Sequence, residues 1–314
     1  MKIEVNHIYH MDAIDFLRKL NDGSVDLVIT SPPYSDCKRS STKEIDDHYT
    51  HIPPGEYVQW MLPKSKEILR VLKDTGSFVL NIDTVSKDGQ RSLYVYKLII
   101  ELVERLGYKL YDEYFWVKST SVPAGGAATY NHPRRAVEYI FHLTKTLKPK
   151  IDTKKVVREY SDGFKERVKQ VERHQIKGGY RRPSGHIFKA ERIKESEAGG
   201  ATPFNFIVSP NIPSADWFQR KLRDKKMLQH PASFPEVLPR FFILMLTDPG
   251  DLVLDPFLGS GTTAVVAKQL NRNFLGCDIS KAYMEIARLR LDKYMFNKTI
   301  DDYVIRQETI SKKH

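Results

Sequence analysis

The chain has 314 residues, 41% of them hydrophobic and 28% charged, which is enough apolar material for one large domain or a core with a smaller insert. Its mean hydropathy is −0.44, and no apolar run approaches the roughly 18 residues of a membrane-spanning helix, so we expect no membrane segment. The chain has only two cysteines, which argues against a disulfide framework and a metal site. It begins with no apolar leader, which argues against a secretory signal, so the sequence predicts a cytoplasmic protein. Its net charge is +11.

The positive charge is concentrated in one segment of the chain. Residues 145–230 hold 21 basic and 10 acidic residues, whereas residues 1–144 hold 18 and 19, and residues 231–314 hold 11 and 10. A solvated lysine-rich surface without a partner would give the same counts. Because both flanking segments are nearly neutral, we favour a phosphate-binding face directed at nucleic acid.

Short apolar runs alternate with amphipathic stretches in the first 144 residues. The run Val25–Thr30 stops at two prolines, which is typical of a buried strand. Residues 57–72 show the spacing of an amphipathic helix that ends before Gly76. Further strands are predicted over residues 77–82, 111–117 and 136–143, and a second helix over residues 93–106.

This alternation is lost between residues 145 and 201, where charged residues crowd together and two glycine pairs interrupt the chain. A disordered insertion would have this composition. Interleaved aromatic residues give the segment some capacity to pack, so we expect a partly ordered recognition module; these residues are Tyr160, Phe164, Tyr180, Phe188 and Phe204.

Regular structure is predicted again after residue 230. Helices are expected over residues 234–246, 262–270 and 280–294, and strands over residues 252–254 and 273–277. The order strand, glycine loop, helix, strand and acid is that of half a nucleotide-binding unit. Together with the first segment it predicts an α/β fold with a mostly parallel sheet.

The glycine loop carries the first chemical motif, DPFLGSGTT at residues 255–263. Gly259 and Gly261 allow a sharp turn and a close approach of ligand to backbone. No lysine follows the glycines and the spacing is not GxGxxG, which argues against a phosphate loop and a dinucleotide site. Asp255 would repel a pyrophosphate but suits a cationic amino-acid ligand such as S-adenosylmethionine, and Asp278 after the next strand suits ribose hydroxyls.

The second motif is Thr30-Ser31-Pro32-Pro33-Tyr34 at the end of a predicted strand. The prolines stiffen the backbone, so the carbonyls of Ser31 and Pro32 can accept hydrogen bonds from an exocyclic amine. Tyr34 offers a ring on which a base extruded from a nucleic-acid duplex can stack. Alone, the tetrapeptide would indicate no more than a proline-capped strand end with a surface tyrosine.

With both motifs present, the chain resembles the DNA amino-methyltransferases that methylate N4 of cytosine or N6 of adenine. Their characteristic motifs are a (S/N/D)PP(Y/F) tetrapeptide and a DPFxGSGTT loop. In this chain the tetrapeptide comes first and the loop late, an order that resembles the permuted β-class. The resemblance implies a Rossmann-like S-adenosylmethionine-dependent core with a basic target-recognition insert. It implies a catalytic half at residues 1–144, a recognition region at 145–229 and a cofactor-binding half at 230–314.

The resemblance also implies the site residues. The catalytic group is Ser31, Pro32, Pro33 and Tyr34. The cofactor group is Asp12, Thr30, His230, Pro231, Phe234, Asp255, Pro256, Phe257, Gly259, Ser260, Gly261, Thr262 and Asp278. Members with SPP(Y/F) mostly act on cytosine N4 and those with DPPY on adenine N6, so Ser31 favours cytosine, with adenine as the alternative.

Double-stranded DNA is the expected partner, contacted by Lys38, Arg39, Arg173, Arg181, Arg182, Lys225 and Lys226. The resemblance adds a homodimer, a cognate restriction endonuclease acting on the same site, and a prokaryotic setting. Methylation of RNA or of a protein amide is disfavoured, because those enzymes place a similar tetrapeptide after the cofactor motif. A non-catalytic DNA-binding module on the same fold is disfavoured because both motifs are intact.

Overall fold

The computed structural model describes residues 3–35, 52–87, 90–119, 135–174, 179–181, 187–189, 199–210 and 235–293. Within these ranges, residues 3–151 and 205–293 form one compact unit, and residues 152–204 contribute to a second. The division at residues 144 and 229 stays a prediction. No helix in the described part of the chain is long and apolar enough to cross a membrane.

Helices and strands alternate along most of the chain. The strands are β1 (His7–His10), β2 (Val25–Thr30), β3 (Leu72–Ile82), β4 (Ser86–Lys87), β5 (Gln90–Arg91), β6 (Lys109–Lys118), β7 (Val137–Thr144), β8 (Gly179–Arg181), β9 (Ile187–Lys189), β10 (Phe206–Ser209), β11 (Leu252–Asp255) and β12 (Asn273–Asp278). The helices are α1 (Ala13–Leu17), α2 (Tyr57–Val71), α3 (Tyr94–Glu104), α4 (Asp162–His174), α5 (Val237–Leu246), α6 (Thr262–Gln269) and α7 (Lys281–Lys293).

The first unit is built on an eight-stranded sheet in the order β1-β12-β11-β2-β3-β7-β6-β10. β7 runs antiparallel to β3 and β6, and every other neighbouring pair in this sheet is parallel. The predicted α/β fold with a mostly parallel sheet is therefore confirmed. The carboxyl ends of β1, β12, β11, β2, β3, β6 and β10 meet at one edge, and β7 begins there.

The central strands are buried because helices cover the sheet. All six residues of β2 are buried, which explains its mostly apolar sequence, and its one charged residue, Asp26, pairs with Lys73 at 2.8 Å. Helix α2 packs Tyr57, Met61 and Ile68 into the core around Phe78 of β3. The hydrophobic effect of this burial stabilises the position of β2 in the sheet, and hence of the tetrapeptide that follows it.

The structure differs from the predicted elements mainly at their ends. β3 begins at Leu72, five residues before the predicted strand, because Leu72 pairs with Val25 ahead of a register shift in β2. β1, β4, β5, β10 and α1 were not predicted, and neither were α4, β8 and β9, which lie where the sequence pattern indicated no regular elements. β1 and β10 have four residues each and pair with one neighbour, so their sequences carry too little periodicity to be recognised.

The second unit contains a short 3-10 helix at Thr153–Val156, helix α4 and the antiparallel hairpin of β8 and β9. The rings of Tyr160 and Phe164 stack with centroids 4.6 Å apart. The guanidinium of Arg158 lies 4.1 Å from the centre of the Phe204 ring. These aromatic contacts give the segment the packing that its sequence predicted.

The chain leaves and re-enters the first unit at two anchored positions. Before the second unit, Lys150 Nζ lies 2.8 Å from Asp248 Oδ2 and 2.7 Å from Asp251 Oδ2. After it, the carbonyl of Asn205 accepts a hydrogen bond of 2.9 Å from the Phe115 N–H in β6. Both anchors belong to the sheet unit.

Candidate active site

The two sequence motifs meet at the edge of the sheet where the parallel strands end. Thr30 is the last residue of β2 and Asp255 the last of β11, and these strands are neighbours in the sheet. Neighbouring strands lie about 4.8 Å apart. Residues separated by 225 positions in the sequence are therefore in direct contact, through a hydrogen bond of 2.6 Å from Thr30 Oγ1 to Asp255 Oδ1.

Asp255 joins the tetrapeptide strand to the glycine loop. Its carboxylate accepts hydrogen bonds from Thr30 Oγ1, from Thr263 Oγ1 at 2.6 Å and from the Phe257 N–H at 3.0 Å. Burial raises the pKa of Asp255 to about 6, although these hydrogen bonds lower it. A direct contact of Asp255 with a cationic ligand stays a prediction.

The glycine loop has the backbone conformation that its sequence predicted. Gly259 has φ +52° and Gly261 has φ +85°, values that favour glycine. The Gly261 N–H donates to the Leu258 carbonyl at 3.0 Å, and α6 begins at the next residue. Pro256, Ser260 and Thr262 of the loop are buried.

Two half-buried carboxylates stand at the ends of the adjacent strands β1 and β12. Asp278 ends β12 and accepts from the Gly259 N–H at 2.9 Å and the Ser280 N–H at 2.8 Å. Asp12 follows β1 and caps α1 by accepting from the Ile14 N–H at 2.8 Å. Acidic side chains in this position after a strand are of the type that hydrogen-bonds ribose hydroxyls.

A buried lysine that sequence reasoning missed lies beside this pair. Lys64 on α2 is 7% exposed, donates to the Trp60 carbonyl at 3.0 Å and lies 4.2 Å from the centre of the Trp60 ring. Burial lowers its pKa, while the charge of Asp12 acts in the opposite direction. The Trp60 ring also packs on Phe257 of the loop, with centroids 5.6 Å apart. A lysine on the apolar face of a predicted helix was the available signal.

Burial and hydrogen bonds hold the tetrapeptide in place. Pro32 and Pro33 are buried, and the Pro33 carbonyl accepts a hydrogen bond of 2.8 Å from the Tyr57 hydroxyl. Ser31 and Tyr34 are half-buried, with Ser31 Oγ 3.4 Å from Tyr34 Oη. The Tyr34 hydroxyl donates to Glu138 Oε2 at 2.6 Å. Burial raises the pKa of Tyr34 well above its ordinary value, and Glu138 raises it further.

Glu138 is a second residue that sequence reasoning left out of the site. It lies near the start of β7, with Oε1 2.5 Å from Lys118 Nζ and Oε2 accepting from Asn81 Nδ2 at 3.2 Å. Nearby, Arg135 pairs with Asp83 at 2.9 Å. A lone acid in the otherwise apolar strand of residues 136–143 was the signal that could have indicated Glu138.

The structure brings together the predicted residues 12, 30–34, 255–257, 259–262 and 278 at the carboxyl edge of the sheet. Arg173 lies on α4 and Arg181 on β8, where the structure describes the backbone. The remaining predicted residues lie outside the described ranges: Lys38, Arg39, Arg182, Lys225, Lys226, His230, Pro231 and Phe234.

The mostly parallel α/β sheet brings the glycine loop and the proline tetrapeptide together, as the resemblance to amino-methyltransferases predicts, and comparisons with known proteins agree. The family model for N6/N4 DNA methylases matches residues 25–289, so the chain belongs to the DNA methylase family and is a DNA methyltransferase, as its motifs predicted.

Two curated relatives and two solved structures illustrate the similarity. The chain is 30% identical to the type II methyltransferase M.PvuII of Proteus hauseri over 301 residues, 94% of this chain and 86% of the relative. It is 31% identical to the orphan methyltransferase M.BamHII of Bacillus amyloliquefaciens over 277 residues, 88% of this chain and 92% of the relative.

The structure of PvuII DNA methyltransferase (cytosine-N4-specific) superposes with a TM-score of 0.68 and 25% identity, covering 92% of this chain and 89% of that one. The M1.HpyAVI–SAM complex shares the fold at a TM-score of 0.54 and 20% identity, covering 91% and 98%.

Proposed function

We propose that this protein is a type II DNA methyltransferase of a restriction-modification system. It transfers a methyl group from S-adenosylmethionine to N4 of a cytosine flipped out of double-stranded DNA. The contact between Thr30 and Asp255 is the main support for the proposal, because the tetrapeptide proposed to bind the amine adjoins the loop proposed to bind the cofactor. The cytosine assignment is supported by Ser31 and by the cytosine-N4-specific PvuII structure.

The residues present fit S-adenosylmethionine by the chemistry of their donors and acceptors. Asp12 and Asp278 supply half-buried carboxylates for ribose hydroxyls, and the positive φ angles of Gly259 and Gly261 give the loop a backbone conformation that favours glycine. When bound, this cofactor supplies an electrophilic methyl group on a sulfonium. Asp255 bonds Thr30 and Thr263 and so joins the glycine loop to the end of β2.

The tetrapeptide prepares the amine of the base. The lone pair of the amine nitrogen is delocalised into the ring of the base. Hydrogen bonds from the amino protons to the Ser31 hydroxyl and the Pro32 carbonyl direct this lone pair toward the methyl group. Direct in-line displacement follows, without a covalent intermediate, and positioning and electrostatics lower its barrier. Extruding the base costs a few kcal/mol, and stacking on Tyr34 returns about 1–3 kcal/mol.

Sequence recognition belongs in this proposal to the basic region 145–229, whose charge suits the phosphates of DNA. A homodimer, a cognate endonuclease with the same target and a cytoplasmic prokaryotic setting complete it. Methylation of adenine N6 is the second candidate, because the same tetrapeptide chemistry serves both amines.

The test is methyl transfer to unmethylated duplex DNA, with the modified nucleoside identified by mass spectrometry. We expect N4-methylcytosine, and a rate about 10²-fold or more lower in Ser31→Ala, because the amine loses one acceptor. Ser24→Ala is the matched control, since Ser24 directly precedes β2, at the end opposite Ser31, and its hydroxyl bonds only the Asn21 carbonyl in the described contacts.

N6-methyladenine as the product would keep the family and the mechanism but overturn the base assignment. A protein that binds S-adenosylmethionine but modifies no DNA from several genomes would contradict the proposed substrate. Full activity in Ser31→Ala would remove Ser31 from the mechanism.

A further inference from the structure

A line of hydrogen-bonding groups runs from the tetrapeptide into the protein. Ser31 Oγ lies 3.4 Å from Tyr34 Oη, and Tyr34 Oη donates to Glu138 Oε2 at 2.6 Å. The other oxygen of that carboxylate lies 2.5 Å from Lys118 Nζ. Ser31, which faces the amine in the proposed function, is thereby connected to the ion pair of Glu138 on β7 and Lys118 on β6.

The charged pair is largely buried, and both oxygens of the Glu138 carboxylate have partners. The side chain of Lys118 is 13% exposed and that of Glu138 is 9% exposed. Asn81 Nδ2 donates both to Glu138 Oε2 at 3.2 Å and to the Tyr139 carbonyl at 3.1 Å. A buried ion pair adds little stability relative to apolar residues of the same size, so its position beside the tetrapeptide points to a functional role.

The proposed reaction needs a group that removes a proton. A methylated N4 carries one proton too many, and a serine hydroxyl is a weak base at neutral pH. Tyr34 has a raised pKa because it is buried, so its hydroxyl stays protonated and can pass a proton onward only while it accepts another. The carboxylate of Glu138 is the acceptor at the end of this line.

We propose that Glu138 is a positioning residue that acts through Tyr34 on Ser31 and receives the proton that the amine loses. The inference rests on the proposed methylation of an exocyclic amine. With Ser31 donating to Tyr34 and Tyr34 donating to Glu138, the lone pairs of Ser31 are turned toward the amino protons. Lys118 and Asn81 hold the carboxylate in place.

The step balances in atoms and charge. Formation of the bond from N4 to the methyl carbon breaks the bond from carbon to sulfur, and the electron pair stays on the sulfur. The amine proton passes to Ser31, the Ser31 proton to Tyr34, and the Tyr34 proton to Glu138. The sulfonium and carboxylate charges disappear together, and the 3.4 Å contact shortens in the reacting complex, as apo contacts in active sites commonly do.

The hydroxyl of Tyr34 distinguishes proton transfer from base stacking, which needs only the ring. The family's tetrapeptide has tyrosine or phenylalanine at this position, so the ring alone serves to stack a base. In this chain the hydroxyl has a carboxylate partner on β7, and Tyr34→Phe removes that contact while keeping the ring.

The experiment compares Tyr34→Phe, Glu138→Gln and the double variant in single-turnover methylation of duplex DNA at saturating cofactor. We expect each single variant to lower the rate constant by about 10²-fold, with the Kd values for DNA and for S-adenosylmethionine within twofold of wild type. The double variant should be no slower than the slower single variant, because the two residues act in series.

Glu101→Gln is the matched control, since Glu101 makes a solvent-exposed pair with Arg105 on α3. A wild-type rate in Glu138→Gln, losses that multiply in the double variant, or a loss explained by weaker DNA or cofactor binding would overturn the inference. If Glu138→Gln does not fold, Tyr34→Phe decides: a wild-type rate rejects the inference. Failure of wild type to methylate DNA would instead refute the proposed function.

Discussion

At the scale of single residues, the carboxylate of Asp255 shows burial and hydrogen bonding acting in opposite directions. It is 1% exposed, and Thr30, Thr263 and the Phe257 N–H all donate to it. The hydrogen bonds favour the charged form and the loss of water disfavours it. A pKa raised to about 6 means that burial dominates.

This raised pKa predicts how stability depends on pH. The folded protein binds a proton at Asp255 below about pH 6, whereas the unfolded chain does so only below its ordinary value of 3.8. The group's contribution to stability is therefore greatest at low pH and is lost as the pH rises through 6. We expect the free energy of unfolding of wild type relative to Asp255→Asn to fall by about 2 kcal/mol between pH 4.5 and pH 7.5.

Urea unfolding of both proteins across this pH range measures the effect. Asp74→Asn, which alters a side chain that is 80% exposed, is the control and should show a small pH-independent difference. A flat difference for Asp255→Asn would show that its pKa is not raised.

Single residues also mark the limit of prediction from sequence. Ser31, Pro32 and Asp255 were found because each lies in a contiguous motif. Glu138 and Lys118 lie in strands whose partners are fixed only by the pairing of β6, β7 and β3, so no local pattern connects them with Tyr34. Long-range pairing, rather than local propensity, decides that part of the site.

At the scale of elements, the entry to α6 depends on its contact with α7. Gly261 has φ +85°, and a Cβ atom there would lie 2.9 Å from Ala287 Cβ. Gly250 has φ +87° but no atom within 4 Å of a Cβ. The two glycines thus share the same backbone requirement and differ in packing.

We expect Gly261→Ala to destabilise the protein by about 2–4 kcal/mol, since backbone strain and overpacking add, and Gly250→Ala by about 1 kcal/mol from strain alone. Thermal unfolding of both variants is the measurement. Adding Ala287→Gly to Gly261→Ala should recover part of the loss. Equal losses at the two glycines would show that α7 does not restrict the loop.

Most elements were predictable because their patterns are local. The helices over residues 57–72 and 93–106 and the strand at residues 25–30 lie within one or two residues of their observed bounds. The antiparallel direction of β7 was not predicted, because an apolar strand has the same sequence pattern in either direction. β1 was not predicted because its four residues carry too little periodicity, and its strand conformation depends on pairing with β12.

At the scale of the whole molecule, the uneven charge predicts salt-dependent DNA binding. Residues 145–230 carry the excess of 11 positive charges, and each phosphate contact releases counterions. We expect Lys225→Ala with Lys226→Ala to reduce the slope of log affinity against log salt by about 2, since each lysine neutralises about one phosphate.

Fluorescence anisotropy with a labelled duplex at several salt concentrations measures this slope. Lys97→Ala, which removes an exposed charge from α3, should leave the slope unchanged. An unchanged slope in the double variant would place the DNA contacts elsewhere.

The anchors at Lys150 and Asn205 have a consequence for how such enzymes diversify. Because both points are fixed by contacts within the sheet unit, the stretch between them begins and ends at positions that do not depend on its own sequence. Under the proposed function, residues 152–204, which form part of the recognition region 145–229, can be exchanged for those of a relative. The exchange would alter the DNA sequence preference of the hybrid while the methyl-transfer chemistry stays as it is.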